Sequence, residues 1–225
     1  MKNYHIPYPE IINDDFTDKI FTHFNILLNK KKKDKFVLSV SGGADSVLLL
    51  YLFCKYFKSD SKRFIIAHVN HNLRKDSRID EKFVIMLGKR LNIETHIKKL
   101  DPNTISKSDS TESWARRYRY DFLNTIMKKV KANWVVTGHH GNDQAETILM
   151  NISDKTGLFG LGGMKEINKN IIRPLLPYNK VQLIEVLRKY SIPFLEDPTN
   201  NNNYYKRNFI RNNVIAPWLK RDKDL

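Results

Sequence analysis

The feature that most constrains this chain is the stretch KFVLSVSGGADSVLLL at residues 35–50. Residues that favour β-structure lead into a Ser-Gly-Gly turn, and the turn opens into an apolar run, residues 47–53, that is long enough to form a buried helix. A strand, a glycine turn and a helix in this order aim several backbone N–H groups and a helix N-terminus at one point. Such a point binds anions, so the sequence predicts a phosphate site at the turn.

The turn itself, SGGADS at residues 41–46, differs from the two commonest phosphate loops. It lacks the lysine of a Walker A loop. A dinucleotide-binding fingerprint needs three separated glycines, whereas Gly42 and Gly43 are adjacent and no third glycine follows. The hydroxyls of Ser41 and Ser46 and the loop amides can hold a polyphosphate, while the carboxylate of Asp45 can hold a metal ion. The alternative is a glycine-rich turn that binds no ligand.

Composition narrows the class of protein. With ~150 residues per domain, a chain of 225 residues corresponds to one large domain or to one domain with a small appendage. A hydrophobic fraction of 41% is ample for a globular core. The formal net charge of +15 favours a polyanionic partner such as nucleic acid, although a lysine- and asparagine-rich chain can also reflect genome composition.

Cysteine content and hydropathy exclude several classes. The single cysteine, Cys54, lies in an apolar run and is predicted to be a core residue. One cysteine allows no disulfide, no cysteine-based zinc site and no Cys-x-x-Cys redox pair within the chain. The N-terminal residues have no signal-peptide pattern, and the longest apolar run is far short of the ~20 residues of a membrane span. We therefore expect a cytoplasmic protein with no membrane partner.

Strands and helices alternate along the chain. After the first strand, apolar runs predict strands at residues 63–71, 94–100, 133–140 and 171–176. Helical periodicity predicts helices at residues 14–28, 77–91, 111–130, 143–152, 179–187 and 204–219. The strands are continuously apolar, which indicates a parallel sheet covered on both faces. The predicted fold class is therefore α/β, a parallel five-stranded sheet with helices on both faces.

Some local expectations are more specific. Ser77 and Asp80 match a capping box, and Asn179 with Gln182 matches another. Pro174 places the fifth strand at an edge of the sheet. The segment GLFGLGG at residues 157–163 is predicted to be a flexible loop, and the last helix to leave the main domain.

Polar residues end three of the predicted strands. Ligands of such sheets bind beyond the carboxyl ends of the strands, so these residues are candidates for the site. The strand ends read Ser39-Val40-Ser41-Gly42, His68-Val69-Asn70-His71 and Thr137-Gly138-His139-His140. All three supply hydrogen-bonding groups or metal partners at one edge.

Six further motifs follow the SGGADS turn in order. They are HVNHNLR at residues 68–74, ESWARRYRYDFL at 112–123, TGHHGNDQAET at 137–147, GLFGLGGM at 157–164, RPLLP at 173–177, and DPTN with RNFIRN within 197–212. The turn alone resembles the loop of enzymes that cleave ATP between the α- and β-phosphates. From residue 35 onward, the ordered series resembles the tRNA(Ile)-lysidine synthetase family. This resemblance implies a fold that is adenine-nucleotide α-hydrolase-like and Rossmann-like.

The resemblance implies a two-step reaction with ATP and Mg²⁺. The C2 oxygen of the wobble cytidine of a tRNA(Ile) with a CAU anticodon attacks the α-phosphorus and releases pyrophosphate. The amino group of free L-lysine then displaces AMP and forms lysidine. The resemblance also suggests a homodimer.

The resemblance further implies roles for individual residues. ATP is bound by Ser41, Gly42, Gly43, Ala44, Asp45, Ser46, His68 and Asn70. Mg²⁺ is held by Asp45 and Asp143, and the catalytic residues are Asp45, Asp143, Glu146 and Arg119. Lysine or tRNA is bound by His71, Arg74, Arg116, His139, Arg207 and Arg211. The alternative for Arg116 and Arg119 is a solvated helix face.

The sequence departs from the family pattern at several points. Asn142 stands where the family usually has the first of two aspartates, and residues 154–156 replace an arginine- and glycine-containing segment. Family members also continue with domains that grip tRNA. We expect a helical extension at residues 1–34, a catalytic domain at 35–200, and a linker helix at 201–225 toward tRNA-binding domains that a truncated chain lacks.

Two other functions are compatible with the shared loop. A tRNA thiolase of the same superfamily normally uses paired cysteines, which a chain with Cys54 alone does not have. A nucleotide- or tRNA-binding module without catalysis would not need Asp45, Asp143 and Glu146 together.

Overall fold

The computed structural model describes residues 4–28, 33–58, 60–74, 76–196 and 206–221. Its strands are β1 Phe36–Ser39, β2 Phe64–Asn70, β3 Thr95–Lys99, β4 Trp134–Thr137, β5 Ile167–Asn168 and β6 Ile171–Ile172. They form one six-stranded sheet in the order β3-β2-β1-β4-β6-β5. Neighbouring strands are parallel except for β5 and β6, which pair antiparallel at one edge.

Helices follow most of the strands. They are α1 Asp15–Leu28, α2 Ala44–Phe57, α3 Ser77–Arg90, α4 Thr111–Lys129, α5 Gly141–Ser153, α6 Gly157–Leu161, α7 Lys180–Lys189, α8 Lys206–Ile210 and α9 Ala216–Arg221. A π-helical segment, Arg211–Ile215, joins α8 to α9. Short 3-10 turns lie at Pro9–Ile11, Ser61–Arg63 and Pro102–Thr104.

The core has two layers because successive strand residues point to opposite faces. Phe36 and Leu38 of β1 pack with α1, α2, α3 and α7 on one face. Val37 faces the other way and packs with Leu123 and Ile126 of α4. The helix α2 lies fully within the first layer, which explains its continuous apolar run. Its Cys54 is buried, as predicted.

The predicted fold class is confirmed: the protein is α/β with a mostly parallel sheet and helices on both faces. The sheet has six strands where five were expected, because the two-residue strand β5 adds to β6. The predicted fifth strand begins at Ile171 but ends at Ile172, before Pro174. Its expected edge position is wrong, since β6 lies between β4 and β5.

Of three local expectations, two are wrong and one is confirmed. Asp76 precedes α3 as its N-cap, and Asp80 pairs with Arg74, so Ser77 and Asp80 form no capping box. Residues 157–161 form the helix α6 where a loop was predicted. The capping box of Asn179 and Gln182 at α7 is confirmed.

The last helical segment begins on the main domain. Ile210 and Ile215 are buried, and α8 packs against α5, so residues 206–215 do not leave the domain as expected, whereas α9 has no buried residue. The first part of that predicted helix, residues 204 and 205, lies outside the described residues. In the described ranges, no helix has the length and apolar character needed to cross a membrane.

Candidate active site

The glycine turn after β1 is shaped by its own serines. Gly42 has a φ of +96°, which favours glycine, and its carbonyl accepts a hydrogen bond from the Leu195 N–H at 2.9 Å. The Ser46 hydroxyl donates to the Gly43 carbonyl at 2.9 Å and accepts from the Ser41 N–H at 3.1 Å. The Ser46 hydroxyl therefore holds the turn from within, while Gly43 precedes Ala44, the first residue of α2.

The end of β4 comes close to the start of α2. A side chain at Gly138 would lie 3.1 Å from the backbone of Asp45, so glycine allows this approach. The approach brings His140 next to Asp45: its Nε2 lies 3.4 Å from Asp45 Oδ2 and 3.4 Å from Asp143 Oδ2. The two predicted metal-binding carboxylates thus lie at one nitrogen of His140, whose side chain is only 3% exposed.

The two carboxylates have different surroundings. Asp45 Oδ1 is buried without a hydrogen-bond partner in the described structure, and Lys180 Nζ lies 3.9 Å from Oδ2. Asp143 Oδ2 accepts a hydrogen bond from the His140 N–H at 3.0 Å. Burial opposes the charge of Asp143, but His140 and Arg207 outweigh it and lower the pKa of this carboxyl.

These carboxylates fit a magnesium ion shared with a phosphate ligand. Mg²⁺ is typically held by one or two protein carboxylates together with substrate phosphates and water. Asp45 and Asp143 supply that number, and the unpartnered Oδ1 of Asp45 has capacity for a ligand. Among the residues that the structure describes, no group of three or more His, Cys, Asp or Glu side chains forms a metal site by itself.

Glu146 is held by the end of the chain. Its side chain is 0% exposed, and its two oxygens accept hydrogen bonds from Arg207 Nε at 2.6 Å and Arg211 Nε at 2.6 Å. Arg211 Nη2 donates a further bond at 3.0 Å. Burial opposes the charge of Arg211, but the pairing with Glu146 raises the pKa of its guanidinium. Arg207 also reaches Asp143 Oδ1 at 3.5 Å and so joins the two carboxylates.

Three predicted histidines are kept neutral. Burial lowers the pKa of His68, whose Nδ1–H donates to the Val40 carbonyl at 2.8 Å. Burial and the charge of Arg119 lower the pKa of His71 to about 4. Burial lowers the pKa of His139 to about 3, with Nδ1 lying 2.7 Å from the Thr137 hydroxyl. At neutral pH all three can hydrogen-bond a ligand without adding charge.

Asn70 and Arg74, two other predicted site residues, are engaged with α3. Asn70 donates from Nδ2 to Glu81 Oε2 at 2.8 Å and accepts the Asn72 N–H at 2.8 Å. Arg74 pairs with Asp80. These contacts order the segment after β2, and the predicted ligand roles of Asn70 and Arg74 stay predictions.

The two predicted arginines of α4 differ in position. The guanidinium groups of Arg116 and Arg119 lie 5.2 Å and 5.4 Å from the Tyr120 ring, a cation–π arrangement. Arg116 is exposed, whereas burial lowers the pKa of Arg119. Because the charge of Arg119 acts on both His71 and His139, Arg119 lies at the strand-end site.

Two residues of the site were given no role by the sequence. They are Lys180, near Asp45, and Arg173, whose charge acts on His139, although Arg173 belongs to the RPLLP motif. His140, which lies next to Asp45, was already a candidate from the end of the predicted fourth strand. The replaced aspartate position, Asn142, accepts a hydrogen bond from the Lys180 N–H at 2.8 Å through Oδ1. Asn142 therefore ties α5 to the first residue of α7, a structural use that needs no charge.

Known proteins resemble this chain in sequence. The model of the PP-loop domain matches residues 16–217. A tRNA(Ile)-lysidine synthase from Thermosipho africanus is 41% identical over 207 residues, which cover 90% of this chain and 47% of the relative. That of Chlorobaculum tepidum is 38% identical over 81% of this chain and 56% of its own length. The chain thus spans about half the length of these curated relatives.

Solved structures share its fold. A U34-tRNA thiolase from Methanococcus maripaludis superposes with a TM-score of 0.76 and 18% identity, over 92% of this chain and 74% of that one. An NMN synthetase from Francisella tularensis gives a TM-score of 0.57 at 16% identity, over 83% of this chain and 72% of that one. Sequence identities this low show a shared fold and nothing more. The family match over most of the chain agrees with the glycine turn and the strand-end carboxylates, and we conclude that the chain belongs to the PP-loop domain family.

Proposed function

We propose that this chain carries out the ATP-dependent ligation of L-lysine to C2 of the wobble cytidine in a tRNA(Ile) with a CAU anticodon, forming lysidine. Relatives named tRNA(Ile)-lysidine synthase, 35–41% identical over most of the chain, support this assignment. The observation that carries it is the convergence of Asp45 and Asp143 on His140 beside an anion-binding turn. Carboxylates placed there suit a reaction on the phosphates of ATP.

The proposed reaction has two steps. The C2 oxygen of cytidine attacks the α-phosphorus of ATP, the bond to the bridging oxygen breaks, and pyrophosphate leaves. The lysine amine then forms a bond to C2, AMP leaves with the former C2 oxygen, and the amine loses a proton. Phosphoryl chemistry of this kind depends mainly on positioning and on stabilising charge.

Each residue has a role that its contacts support. The backbone N–H groups of the turn and the N-terminus of α2 bind phosphate. Asp45 and Asp143 would hold Mg²⁺, which when bound neutralises phosphate charge. Lys180, near Asp45, adds a positive charge at the same edge.

The lysine substrate needs acidic and proton-accepting groups. Asp143 is kept ionised by its lowered pKa and therefore attracts the substrate ammonium. Glu146 has both oxygens engaged by Arg207 and Arg211, so its contribution is to hold these arginines beside Asp143. The neutral imidazole of His139 can accept a hydrogen bond from the attacking amine.

The proposal extends to partners. The excess of basic residues suits tRNA, and we assign the exposed Arg116 to its backbone. We keep as proposals the helical extension at 1–34, the catalytic domain at 35–200 and a linker at 201–225 toward tRNA-binding domains. A homodimer and a location in the cytoplasm, where tRNA is modified, are part of the same proposal.

A labelling assay tests the function. The protein is incubated with ATP, Mg²⁺ and radiolabelled lysine, together with either tRNA(Ile) carrying the CAU anticodon or the same tRNA with a wobble uridine. We expect label only in the cytidine tRNA, and only with ATP. Label in both tRNAs, or in neither at high enzyme concentration, contradicts the proposal.

A thiolase is not favoured in spite of the shared fold. Burial raises the pKa of the Cys54 thiol to about 12, so this cysteine is inert as a sulfur carrier. Incorporation of sulfur into tRNA in a parallel assay would revive that alternative.

A further inference from the structure

Arg173 is a buried cation that the proposed reaction has not used. It directly follows β6, at the carboxyl end of the sheet, and its residue is only 5% exposed. Nη1 donates to the Lys165 carbonyl at 2.7 Å, and the backbone N–H donates to the Glu166 carbonyl at 2.8 Å. Nε is buried and has no hydrogen-bond partner in the described residues.

A buried guanidinium normally has a carboxylate partner, because an unpaired buried charge is costly. Arg207 and Arg211 follow this rule, since Glu146 accepts hydrogen bonds from both. Within residues 4–28, 33–58, 60–74, 76–196 and 206–221, no Asp or Glu oxygen lies within 4.0 Å of the Arg173 guanidinium. Among these residues, the charge of Arg173 therefore has no partner of opposite sign.

Arg173 shares its surroundings with other cations. The charges of Arg119, Arg173 and Arg207 all act on His139, and Asp143 is the acidic group that acts against them there. Arg119, from α4, stacks on Tyr120 and likewise has no ion pair among the described residues. Because Asp143 and Glu146 already pair with Arg207, Arg119 and Arg173 are the cations acting on His139 that have no ion pair among the described residues.

We propose that Arg173 is an oxyanion-binding residue of this site, whose Nε–H donates to an oxygen of the bound ligand. The inference rests on the proposed function, which supplies two oxyanions of suitable chemistry: the carboxylate of lysine and the phosphoryl oxygens of pyrophosphate. Both accept a planar N–H donor of arginine in the same way. Arg173 thereby adds a second arginine, beside Arg119, that is free to bind an anion.

The test is a calorimetric titration of the 225-residue chain and of Arg173→Met. The probes are pyrophosphate with Mg²⁺, L-lysine, and lysinamide, which lacks the carboxylate. Loss of one charged hydrogen bond should weaken the affected probe by roughly 10- to 100-fold. If the carboxylate is the ligand, wild type should prefer lysine to lysinamide and the variant should not. If a phosphoryl oxygen is the ligand, only pyrophosphate binding should weaken.

Controls separate binding from folding. Arg188→Met removes an exposed arginine of α7 and should leave the affinities for all three probes unchanged. If the methionine variant does not fold, Arg173→Lys keeps the charge but loses the planar fork, and should show part of the same loss. The proposal is overturned if wild type binds neither pyrophosphate nor lysine, or if the Arg173 variants bind pyrophosphate and lysine normally. No tRNA or turnover is involved, so failure of the lysidine assay is a separate result.

Discussion

Asp45 and Glu146 both follow strands of the same sheet, but the protein surrounds their carboxylates in opposite ways. The side chain of Asp45 is 24% exposed, and its Oδ1 has no hydrogen-bond partner among the described residues. Glu146 is fully buried, and arginine N–H groups bind both of its oxygens. The difference indicates which carboxylate is available to a ligand and which one holds the protein together.

The two carboxylates also differ in how far along the chain the residues that position them lie. Asp45 is positioned by the turn next to it, whose serines bond within a few residues. Glu146 depends on Arg207 and Arg211, which lie 61 and 65 residues later in the chain. We therefore expect a change at Asp45 to affect the reaction, and a change at Glu146 to affect stability as well.

The largest expected effect is that of Glu146→Gln. The NH₂ group of the new glutamine would face a guanidinium, so a buried N–H donor would lose its acceptor. Arg207 and Arg211 would also lose the negative charge that neutralises them. Removing one partner of a buried ion pair lowers the free energy of unfolding by about 3–5 kcal/mol. Denaturant unfolding followed by circular dichroism measures this change.

Asp154→Asn is the matched control for that change. Asp154, directly after α5, pairs with Lys206 of α8, but both side chains are substantially exposed. An exposed pair contributes below about 1 kcal/mol. Equal losses in the two variants would show that burial of Glu146 does not set its contribution.

Asp45→Asn should instead lower the rate of pyrophosphate release in the presence of ATP, Mg²⁺ and tRNA. Loss of one preorganised charge-stabilising group typically slows a reaction by about 10²–10³-fold. The free energy of unfolding should change by less than about 1 kcal/mol, because no hydrogen bond to Asp45 Oδ1 is lost. Asp18→Asn, an exposed position in α1, is the control and should release pyrophosphate normally. Near-normal release by Asp45→Asn would remove its proposed role.

The sequence predicted the parts of the site that local pattern and sheet geometry determine. The apolar run, the glycine turn and the second apolar run dictate β1 and α2, because each forms from neighbouring residues. The carboxyl ends of parallel strands meet at one edge, so the polar strand ends of β1 and β4 come together. That rule brought Asp45 and Asp143 to the same place before their contacts were known.

Contacts between distant segments could not be predicted in the same way. From the sequence, Arg207 and Arg211 could bind a phosphate or pair with Glu146. Only the packing of α8 on α5 distinguishes these two roles. His139 and His140 are adjacent beyond the end of β4, and only the structure shows that His140 is the one next to both Asp45 and Asp143. At α3 the pattern of a capping box was present, yet Arg74 took Asp80 as its partner.

The capping box of α7 carries no charge, and it tests whether charge and burial account for the contribution of Glu146. Asn179 accepts a hydrogen bond from the Gln182 N–H at 2.9 Å, and Gln182 Oε1 accepts one from the Asn179 N–H at 3.3 Å. Asn179→Ala should lower the free energy of unfolding by about 1 kcal/mol. Asn179→Asp retains the acceptor and should be as stable as wild type. A loss as large as that of Glu146→Gln would mean that charge and burial are not what distinguish Glu146.

The smallest expected effect belongs to a third carboxylate, Asp14, which is multiply bonded like Glu146 but near the surface. It accepts hydrogen bonds from the Thr17 N–H at 2.8 Å and from Lys189 Nζ at 2.8 Å. Burial acts to raise the pKa of Asp14, but Lys189 and the other donors lower it from 3.8 to about 2. Because the folded-state pKa is the lower one, this stabilisation is complete above pH 3.8 and is lost as the pH falls through about 2. Solvent screening limits it to about 1 kcal/mol or less. Wild type and Asp14→Asn are therefore unfolded at several pH values between about pH 5 and about pH 2, and the difference in their free energies of unfolding should become smaller as the pH falls. A difference that stays constant would show that the charge of Asp14 contributes nothing.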